Sequence, residues 1–316
     1  MMQSDATPYL NYFQTASWLL QGMINSELSY KPNRYYELLP YWELSQDITG
    51  PLKVLIAGEF KVGKSTFINA LLKKTVLKSD IVPATAVITN ICYGNDEEIT
   101  VKLKDKSSWI YPMSELAALT SEGNMAYDNI RRNIEQVTIR LPNDFLQYLT
   151  IVDSPGINVV YDHHVAATEN VFSQIDYVIW LMNVSQPAKK GEVDKIKQLP
   201  SYLKPVVVVN GMDNIDPEED DPEKIISTVR DKVGSFAREV YGVSAKHALE
   251  GYENNNNKEI EDSGFSALEK VIRHDLCTNW YVHKYNAING RMKNYRGIPF
   301  FENYLNNLKF YYPNSL

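Results

Sequence analysis

The sequence predicts an α/β fold in which helices flank a doubly wound, mostly parallel sheet at both ends of the chain. Apolar, β-branched runs typical of buried parallel strands alternate with helical patterns between residues 52 and 277. The longest run, residues 175–184, reads IDYVIWLMNV and indicates a central strand. Apolar residues recur at i, i+3 and i+4 over residues 7–29 and again over residues 300–308, which predicts an amphipathic helix on each flank.

These patterns divide the chain into three parts. The predicted parts are a helical segment at residues 1–49, an α/β domain at residues 50–278 and a second helical segment at residues 279–316. The polar faces of the two flanking helices carry no excess of basic residues. We therefore interpret their apolar faces as packing surfaces rather than membrane-binding surfaces.

The first chemical signal is a complete G-x-x-x-x-G-K-[ST] loop, GEFKVGKS, at residues 58–65. It follows the apolar run LKVLIA at residues 52–57 and precedes the helical pattern STFINALL at residues 65–72. A strand, a glycine loop and a helix N-terminus together point backbone N–H groups at one spot, which predicts a phosphate site of the P-loop type. Lys64 should reach the β- and γ-phosphates, and the Ser65 hydroxyl should bind Mg²⁺. The residues expected to surround the phosphates are Gly58, Glu59, Phe60, Lys61, Val62, Gly63, Lys64, Ser65 and Thr66.

A second apolar run, LTIV at residues 149–152, ends in Asp153-Ser-Pro-Gly156. An acid at the end of a strand beside a phosphate loop occupies the Walker-B position. Asp153 is therefore predicted to hold Mg²⁺ through water. The backbone N–H of Gly156 is predicted to approach the γ-phosphate.

Two further strands are predicted at residues 206–209 and 240–243, and each ends in polar residues. A carboxylate at Asp213 can accept hydrogen bonds from both N1–H and the 2-amino group of guanine, whereas adenine offers no such pair of donors. The backbone N–H of Ala245 would donate to guanine O6. The residues expected at the base are Asn210, Asp213, Ser244, Ala245 and Lys246. The phosphate loop, the D-x-x-G segment and the two base-contacting segments follow one another in this order at strand ends, and together they favour GTP over ATP.

Residues 210–213 depart at one position from N-K-x-D, the usual guanine-reading element of G proteins, because Gly211 stands where the lysine is expected. The aliphatic stem of that lysine normally lies over the base. Its loss should weaken nucleotide binding without changing the base preference, since Asp213 reads the base. Lys246 is the candidate to cover the ring instead.

Three strings, GEFKVGKSTFINALL, VPATAVIT and IVDSPGIN, resemble the GTPase domain of the dynamin superfamily, most of all that of bacterial dynamin-like proteins. The resemblance covers roughly residues 50–278 and implies a P-loop GTPase sheet. It also implies a threonine in the first switch that binds Mg²⁺ and senses the γ-phosphate. That residue is Thr85, with Thr89 as the less favoured candidate.

The resemblance bears on hydrolysis as well. Many small G proteins place a glutamine after D-x-x-G to orient the attacking water, and here that position is Ile157. Related large GTPases carry an arginine finger two residues before the second loop glycine, and the matching position here is Lys61. Lysine lacks the bidentate fork of arginine. The catalytic candidates are therefore Lys61, Lys64 and Thr85.

The charge balance and the amino-acid composition limit the classes of partner and the compartment that we expect. The chain has 32 basic and 39 acidic residues and a net charge of −7, which disfavours nucleic acid or an anionic membrane as a direct partner. Two cysteines give no disulfide framework and fit a reducing compartment. No run approaches about 18 consecutive apolar residues, so no transmembrane segment is predicted. We expect a cytoplasmic location, with a membrane reached only peripherally through a partner.

Three functional hypotheses follow. The first is a dynamin-like GTPase that binds GTP and Mg²⁺, is activated when two GTPase domains dimerise, and is linked to membrane remodelling through a stalk. Residues 279–316 are too short for the stalk and membrane tip of full dynamins. Either the chain is a minimal relative, or the stalk and tip lie on a missing segment or on a separate chain, such as a partner dynamin-like chain or a membrane adaptor. The second is a nucleotide-gated scaffold with negligible turnover, which Ile157 and Gly211 leave open. The third is a ribosome-associated small GTPase.

Overall fold

A nine-stranded sheet forms the centre of the part of the chain that the structure describes. The structure is a computed structural model, and it describes residues 2–77, 88–120, 128–153, 172, 174–216 and 218–312. The strands are β1 (Leu52–Gly58), β2 (Ile88–Tyr93), β3 (Glu98–Leu103), β4 (Ser108–Pro112), β5 (Ile134–Leu141), β6 (Leu149–Asp153), β7 (Tyr177–Asn183), β8 (Val206–Asn210) and β9 (Val240–Val243).

The spatial order of the strands is β4-β3-β5-β2-β6-β1-β7-β8-β9. Strands β6, β1, β7, β8 and β9 all run parallel. Strands β2 and β5 are parallel to each other, but β2 is antiparallel to β6, and β3 pairs antiparallel with both β4 and β5. The predicted doubly wound, mostly parallel fold is therefore confirmed. The carboxyl ends of the five parallel strands meet at one edge, where ligands bind in such sheets.

Both faces of the sheet are buried at its central strands, β6, β1, β7 and β8. Successive valines of β8 alternate between two hydrophobic clusters, with Val206 and Val208 in one and Val207 and Val209 in the other. Strands covered on both faces read as continuous apolar runs, which explains why the central strands were visible in the sequence.

Helices cover the sheet and extend beyond it. They are α1 (Met2–Tyr30), α2 (Tyr35–Thr49), α3 (Lys64–Leu72), α4 (Leu116–Thr120), α5 (Asp128–Asn133), α6 (Lys190–Lys197), α7 (Pro222–Val233), α8 (Ala245–Glu253), α9 (Asn257–Asp262), α10 (Phe265–Arg273), α11 (Trp280–Met292) and α12 (Pro299–Tyr311). Side chains of α3, α8 and α10 pack on one face of the sheet, and those of α6 and α7 pack on the other.

Helices α1, α2, α11 and α12 form a bundle around a third hydrophobic cluster. Its centre includes Leu20, Ile48, Ile288 and Tyr304, each 0 % exposed. The apolar faces of the flanking helices thus pack, as their spacing indicated. In the residues that the structure covers, no helix combines the length and hydrophobicity that a membrane crossing requires. The division of the chain after residues 49 and 278 stays a proposal.

Five charged residues join this bundle to the sheet, and we call them the junction charge cluster: Asp47, Lys53, Asp176, Lys284 and Arg291. Lys284 Nζ donates to Asp176 Oδ2 over 2.8 Å, and neither side chain is exposed. Arg291 contacts both Asp176 and Asp47, and Lys53 Nζ lies 2.6 Å from Asp47 Oδ1. The backbone N–H of Lys53 also donates to Asp176 Oδ2 over 2.8 Å. The cluster therefore links α2 and α11 to the start of β1 and to the residue preceding β7.

Candidate nucleotide-binding site

The phosphate loop runs from the end of β1 to the start of α3, where it was predicted. Gly58 has φ +144°, and a Cβ there would lie 2.5 Å from the Leu181 carbonyl oxygen of β7. Gly63 has φ +87°, and a Cβ there would lie 2.4 Å from Asn210 Nδ2. Both positions require glycine, because each has a positive φ and a Cβ at either would clash with a neighbouring strand. The neighbouring strands therefore hold the loop close to the sheet.

Lys64 opens helix α3 and turns back over the loop. Its Nζ donates to the carbonyl oxygens of Gly58 over 3.1 Å and Glu59 over 2.8 Å. Burial lowers the pKa of Lys64, and the charges of Asp153 and Glu192, among others, act in the opposite direction. The ammonium group is thus held beside the helix N-terminus, where a phosphate would bind.

Lys61 lies at the exposed tip of the loop. Its backbone is left-handed, with φ +64°, which is uncommon for a residue other than glycine. Its Nζ lies 5.5 Å from the centroid of the Phe60 ring, and that ring is 53 % exposed. The described contacts do not bring Lys61 to any other site residue, so its catalytic role stays a prediction.

Asp153 ends β6 and lies beside β1, in register with Ile56. Its Oδ1 is buried and has no hydrogen-bond partner among the described residues. Burial raises the pKa of Asp153 to about 6, and the charge of Lys64 opposes that shift. A buried carboxylate oxygen without a partner requires an explanation, and a carboxylate next to a phosphate loop is a ligand that Mg²⁺ uses. Ser65, in the first turn of α3, supplies a hydroxyl on the neighbouring element. The residues present therefore fit a magnesium ion.

Two predicted residues of this part of the site, Thr85 and Gly156, lie outside the described residues. Thr89, the less favoured switch candidate, lies in β2 directly opposite Asp153 in the antiparallel pairing. No group of three or more His, Cys, Asp or Glu side chains that could hold a metal occurs within the described ranges. A magnesium site here would therefore depend on hydroxyl, phosphate and water oxygens besides Asp153.

Asn210 connects the phosphate loop to the end of β9. Its Nδ2 donates to the Val62 carbonyl oxygen over 2.9 Å, and its Oδ1 accepts from the Ala245 backbone N–H over 3.0 Å. The side chain is 8 % exposed. One buried amide thus fixes the distance between the phosphate loop and the loop expected to contact the base.

Asp213 and Ser244 meet at the predicted base site. Ser244 Oγ donates to Asp213 Oδ1 over 2.6 Å and accepts from the His247 backbone N–H over 3.1 Å, which caps helix α8. Among the residues that the structure describes, none donates a hydrogen bond to Asp213 Oδ2, so this oxygen can accept from a ligand. Lys246, in the first turn of α8, is exposed. The structure therefore brings the predicted base-reading residues together.

Gly211 has φ +90°, so the departure from N-K-x-D falls at a left-handed backbone position. A Cβ there would lie 3.1 Å from Asn214 Nδ2. A lysine introduced at this position would carry backbone strain in the present loop, which would offset part of any gain from stacking on the base.

Sequence reasoning missed a second charged group beside the phosphate loop. Glu192 in α6 is 2 % exposed and accepts from Trp180 Nε1 over 3.1 Å. Burial raises the pKa of Glu192 to about 7, and the Trp180 hydrogen bond opposes the shift. Lys189 Nζ lies 3.4 Å from Glu59 Oε2 of the phosphate loop. Nothing in the sequence near Glu192 indicated its burial, because a charged residue in a short helix is usually solvated.

Comparison with known proteins assigns the chain to a family. A family model described as the dynamin family matches residues 54–212, which include the phosphate loop, Asp153 and Asn210. The chain belongs to the dynamin family. This membership confirms the resemblance seen in the sequence.

Two relatives show how far the likeness extends. An uncharacterised protein encoded in the xynA 3′ region of Caldicellulosiruptor sp. is 28 % identical over 229 residues, which are 71 % of this chain and 56 % of that protein. Dynamin-like protein 2 of Campylobacter jejuni is 26 % identical over 224 residues, which are 70 % of this chain and 36 % of that protein. The aligned part of the chain thus spans between about a third and just over half of the length of these two relatives.

A solved structure of an oligomerised bacterial dynamin pair, described with the long-range sensing and tethering of membranes, resembles the fold. The match has a TM-score of 0.62 and 21 % identity, and it covers 82 % of this chain and 40 % of that chain. A likeness at this identity shows that the dynamin fold is shared.

Proposed function

We propose that this chain binds guanine nucleotides and hydrolyses GTP to GDP and phosphate. The observation that carries the proposal is the double hydrogen bond of Asn210, which ties Val62 of the phosphate loop to Ala245 of the base loop. Ser244 Oγ uses one of the acceptor positions of the Asp213 carboxylate, which leaves enough acceptor capacity for both donors of guanine. Phosphate and base sites are thus held at a fixed separation on one edge of the sheet.

Each residue has a distinct part in the proposed reaction. Lys64 and the N-terminus of α3 bind the β- and γ-phosphates, and Asn210 and Asp213 orient the base. Ser65 and Asp153, together with Thr85, would hold Mg²⁺, which neutralises charge on the phosphates when it is bound. Because Ile157 cannot orient water through a side-chain hydrogen bond, the cation that stabilises the transition state is assigned to Lys61.

The base preference gives the first prediction. Asp213→Asn should weaken GTP binding roughly 10²- to 10⁴-fold, because two charge-assisted hydrogen bonds to guanine are lost. Xanthosine triphosphate should bind better to the variant than to the unchanged protein, since an amide can donate to the 2-oxo group. Competition against a fluorescent GDP analogue measures both effects. Asp216→Asn, the same change three residues further on, should leave both affinities unchanged, and equal losses in the two variants would refute the assignment.

The second prediction concerns self-association of the GTPase domain. Closing two domains over each other's nucleotides would order the loop and press Lys61 toward the developing charge, and such charge stabilisation is worth about 3–4 kcal/mol in other enzymes. Specific GTPase activity should therefore rise with protein concentration, and Lys61→Ala should flatten the rise. Lys106→Ala is the matched control, because Lys106 has the same left-handed backbone, with φ +72°, in the β3–β4 turn. Activity independent of concentration over about two decades would refute this mechanism.

The proposal includes a role in a membrane process, without specifying that process. The oligomerised bacterial dynamin pair that shares the fold is described with membrane sensing and tethering. We propose that this chain contributes nucleotide-dependent assembly to a membrane process through a partner dynamin-like chain or a membrane adaptor. The match of residues 54–212 to the dynamin family favours this over the ribosome-associated hypothesis.

The nucleotide-gated scaffold is kept as a second candidate because of Gly211. A glycine with φ +90° places no side chain over the base, and Ile157 offers no group to orient water. Tight guanine binding without measurable turnover at any protein concentration would support the scaffold over the enzyme.

A further inference from the structure

Helix α1 contains a long stretch without charge. Residues 6–26 include no Asp, Glu, Lys, Arg or His, although charged residues make up 22 % of the chain. A solvated helix of this length normally carries several charges on its outer side. The absence of charge therefore requires an explanation on the side that does not face the bundle.

The inner side of α1 faces the helix bundle. Its buried residues pack into the bundle, and they are Tyr12, Phe13, Ala16, Leu20 and Ile24.

We call the opposite side the α1 outer face; it consists of Asn11, Gln14, Trp18, Gly22 and Asn25, all exposed. Their spacing of three or four residues places them on one stripe of the helix. Trp18 is 66 % exposed, and a Cβ built on Gly22 meets nothing within 4 Å. Among the residues that the structure describes, no side chain forms a hydrogen bond with the side chain of Asn11, Gln14 or Asn25.

The outer face is symmetric about Trp18. Asn11 lies seven residues before it and Asn25 seven residues after it, while Gln14 lies four residues before it and Gly22 four residues after it. If two copies pair antiparallel about a two-fold axis at Trp18, Asn11 of one copy faces Asn25 of the other. Each amide both donates and accepts, so these pairs satisfy one another. A surface that complements itself in this way is what a two-fold interface requires.

The bulky Trp18 of one copy and the small Gly22 of the other also complement each other in shape. A side chain on a helix leans toward the helix N-terminus, so Trp18 covers the surface about one turn earlier, at the level of Gln14. In the antiparallel pair that level lies opposite Gly22 of the second copy. The indole of each copy would then fill the space that the other copy leaves open at Gly22, and the contact is made twice.

We propose that the chain self-associates through the α1 outer face, as an antiparallel helix pair centred on Trp18. A lipid surface is disfavoured as the occupant because residues 6–26 offer no basic side chain to an anionic headgroup. The stripe from Asn11 to Asn25 is about 21 Å long. A stripe of this length should bury less than the roughly 800 Å² per partner of a standard interface and so belong with weak contacts, for which we expect a dissociation constant of about 10–100 µM. This contact needs no nucleotide and is independent of the proposed GTPase activity.

Sedimentation velocity of the nucleotide-free protein over about two decades of concentration tests the proposal. The unchanged chain should move from monomer to dimer. Trp18→Glu should weaken association at least about tenfold, because it removes the central contact and places two like charges on the axis. Trp109→Glu is the matched control, since Trp109 is 59 % exposed on β4, and it should leave the dissociation constant unchanged. A monomer throughout the range, or equal effects of the two variants, would overturn the proposal.

Two further variants separate association from folding and fix the direction of the pair. Gly22→Leu should raise helix stability, because leucine is favoured over glycine by up to about 1 kcal/mol. It should nevertheless weaken dimerisation, since it fills the space for Trp18. An equimolar mixture of Asn11→Cys and Asn25→Cys should form more disulfide-linked dimer than either variant alone. Preferential linkage of Asn11→Cys to itself would indicate a parallel pair and contradict the proposed arrangement.

Discussion

Lys64→Ala should reduce GTP hydrolysis by about 10³-fold or more, because one side chain supplies the positive charge held inside the phosphate loop. In the structure the Lys64 ammonium is fixed by the carbonyl oxygens of Gly58 and Glu59, at 3.1 and 2.8 Å. Alanine removes the charge but leaves the backbone of the loop and the start of α3 in place. Phosphate release under single-turnover conditions measures the loss.

Lys74→Ala is the control for this prediction. Lys74 follows the other end of α3, and its exposed side chain pairs with Glu97 at 2.5 Å. Its removal should leave hydrolysis within about twofold of the unchanged protein, since exposed ion pairs contribute little. If Lys64→Ala hydrolyses GTP as well as Lys74→Ala does, the phosphate loop is not the site of the reaction.

Asp176→Asn should lower the free energy of unfolding by about 3–5 kcal/mol, because it leaves Lys284 and Arg291 buried without their shared carboxylate. Asp176 and Lys284 have side chains that are 0 % exposed, and Arg291 is 3 % exposed. Asp47 still neutralises part of the charge, since it contacts Arg291 and lies 2.6 Å from Lys53 Nζ. Chemical denaturation followed by circular dichroism measures the change.

Glu135→Gln gives the matched comparison for this loss. Glu135 accepts from Lys106 at the protein surface over 2.9 Å, and its loss should cost less than about 1 kcal/mol. Adding Lys284→Met to Asp176→Asn should restore part of the stability, since the second change removes an unpaired buried charge. Equal losses for Asp176→Asn and Glu135→Gln would show that the junction charge cluster does not hold the bundle to the sheet.

The parts of the site that were predicted from the sequence depend on short stretches of chain. The strand, the glycine loop and the helix around Lys64 are consecutive, and their pattern carries its own geometry. Asp153 and Asn210 follow apolar strands, and parallel strands bring their carboxyl ends to one edge. Asp221 likewise caps helix α7 by accepting from the Glu223 backbone N–H over 3.0 Å, and an acid directly before a proline is a local signal for the start of a helix.

Other features had no local signal. Asp176 is 108 residues from Lys284 and 115 from Arg291 in the chain, so nothing in the sequence near any of them indicated a shared buried site. The reversal of direction between β2 and β6 is likewise set by pairing across a long separation. Glu192 was missed because a charged residue in a short helix is usually solvated, and only the packing of α6 against Trp180 buries it.

If this dynamin-family chain is a GTPase that selects guanine, phosphate release from GTP and from ATP should differ sharply. The decisive experiment measures both with the same purified protein, with Mg²⁺ and after chelation of Mg²⁺. GTP should be hydrolysed in a Mg²⁺-dependent manner and ATP at least about a hundredfold more slowly, because a fixed carboxylate at Asp213 rejects adenine. Equal hydrolysis of ATP and GTP, or turnover that survives removal of Mg²⁺, would contradict this expectation.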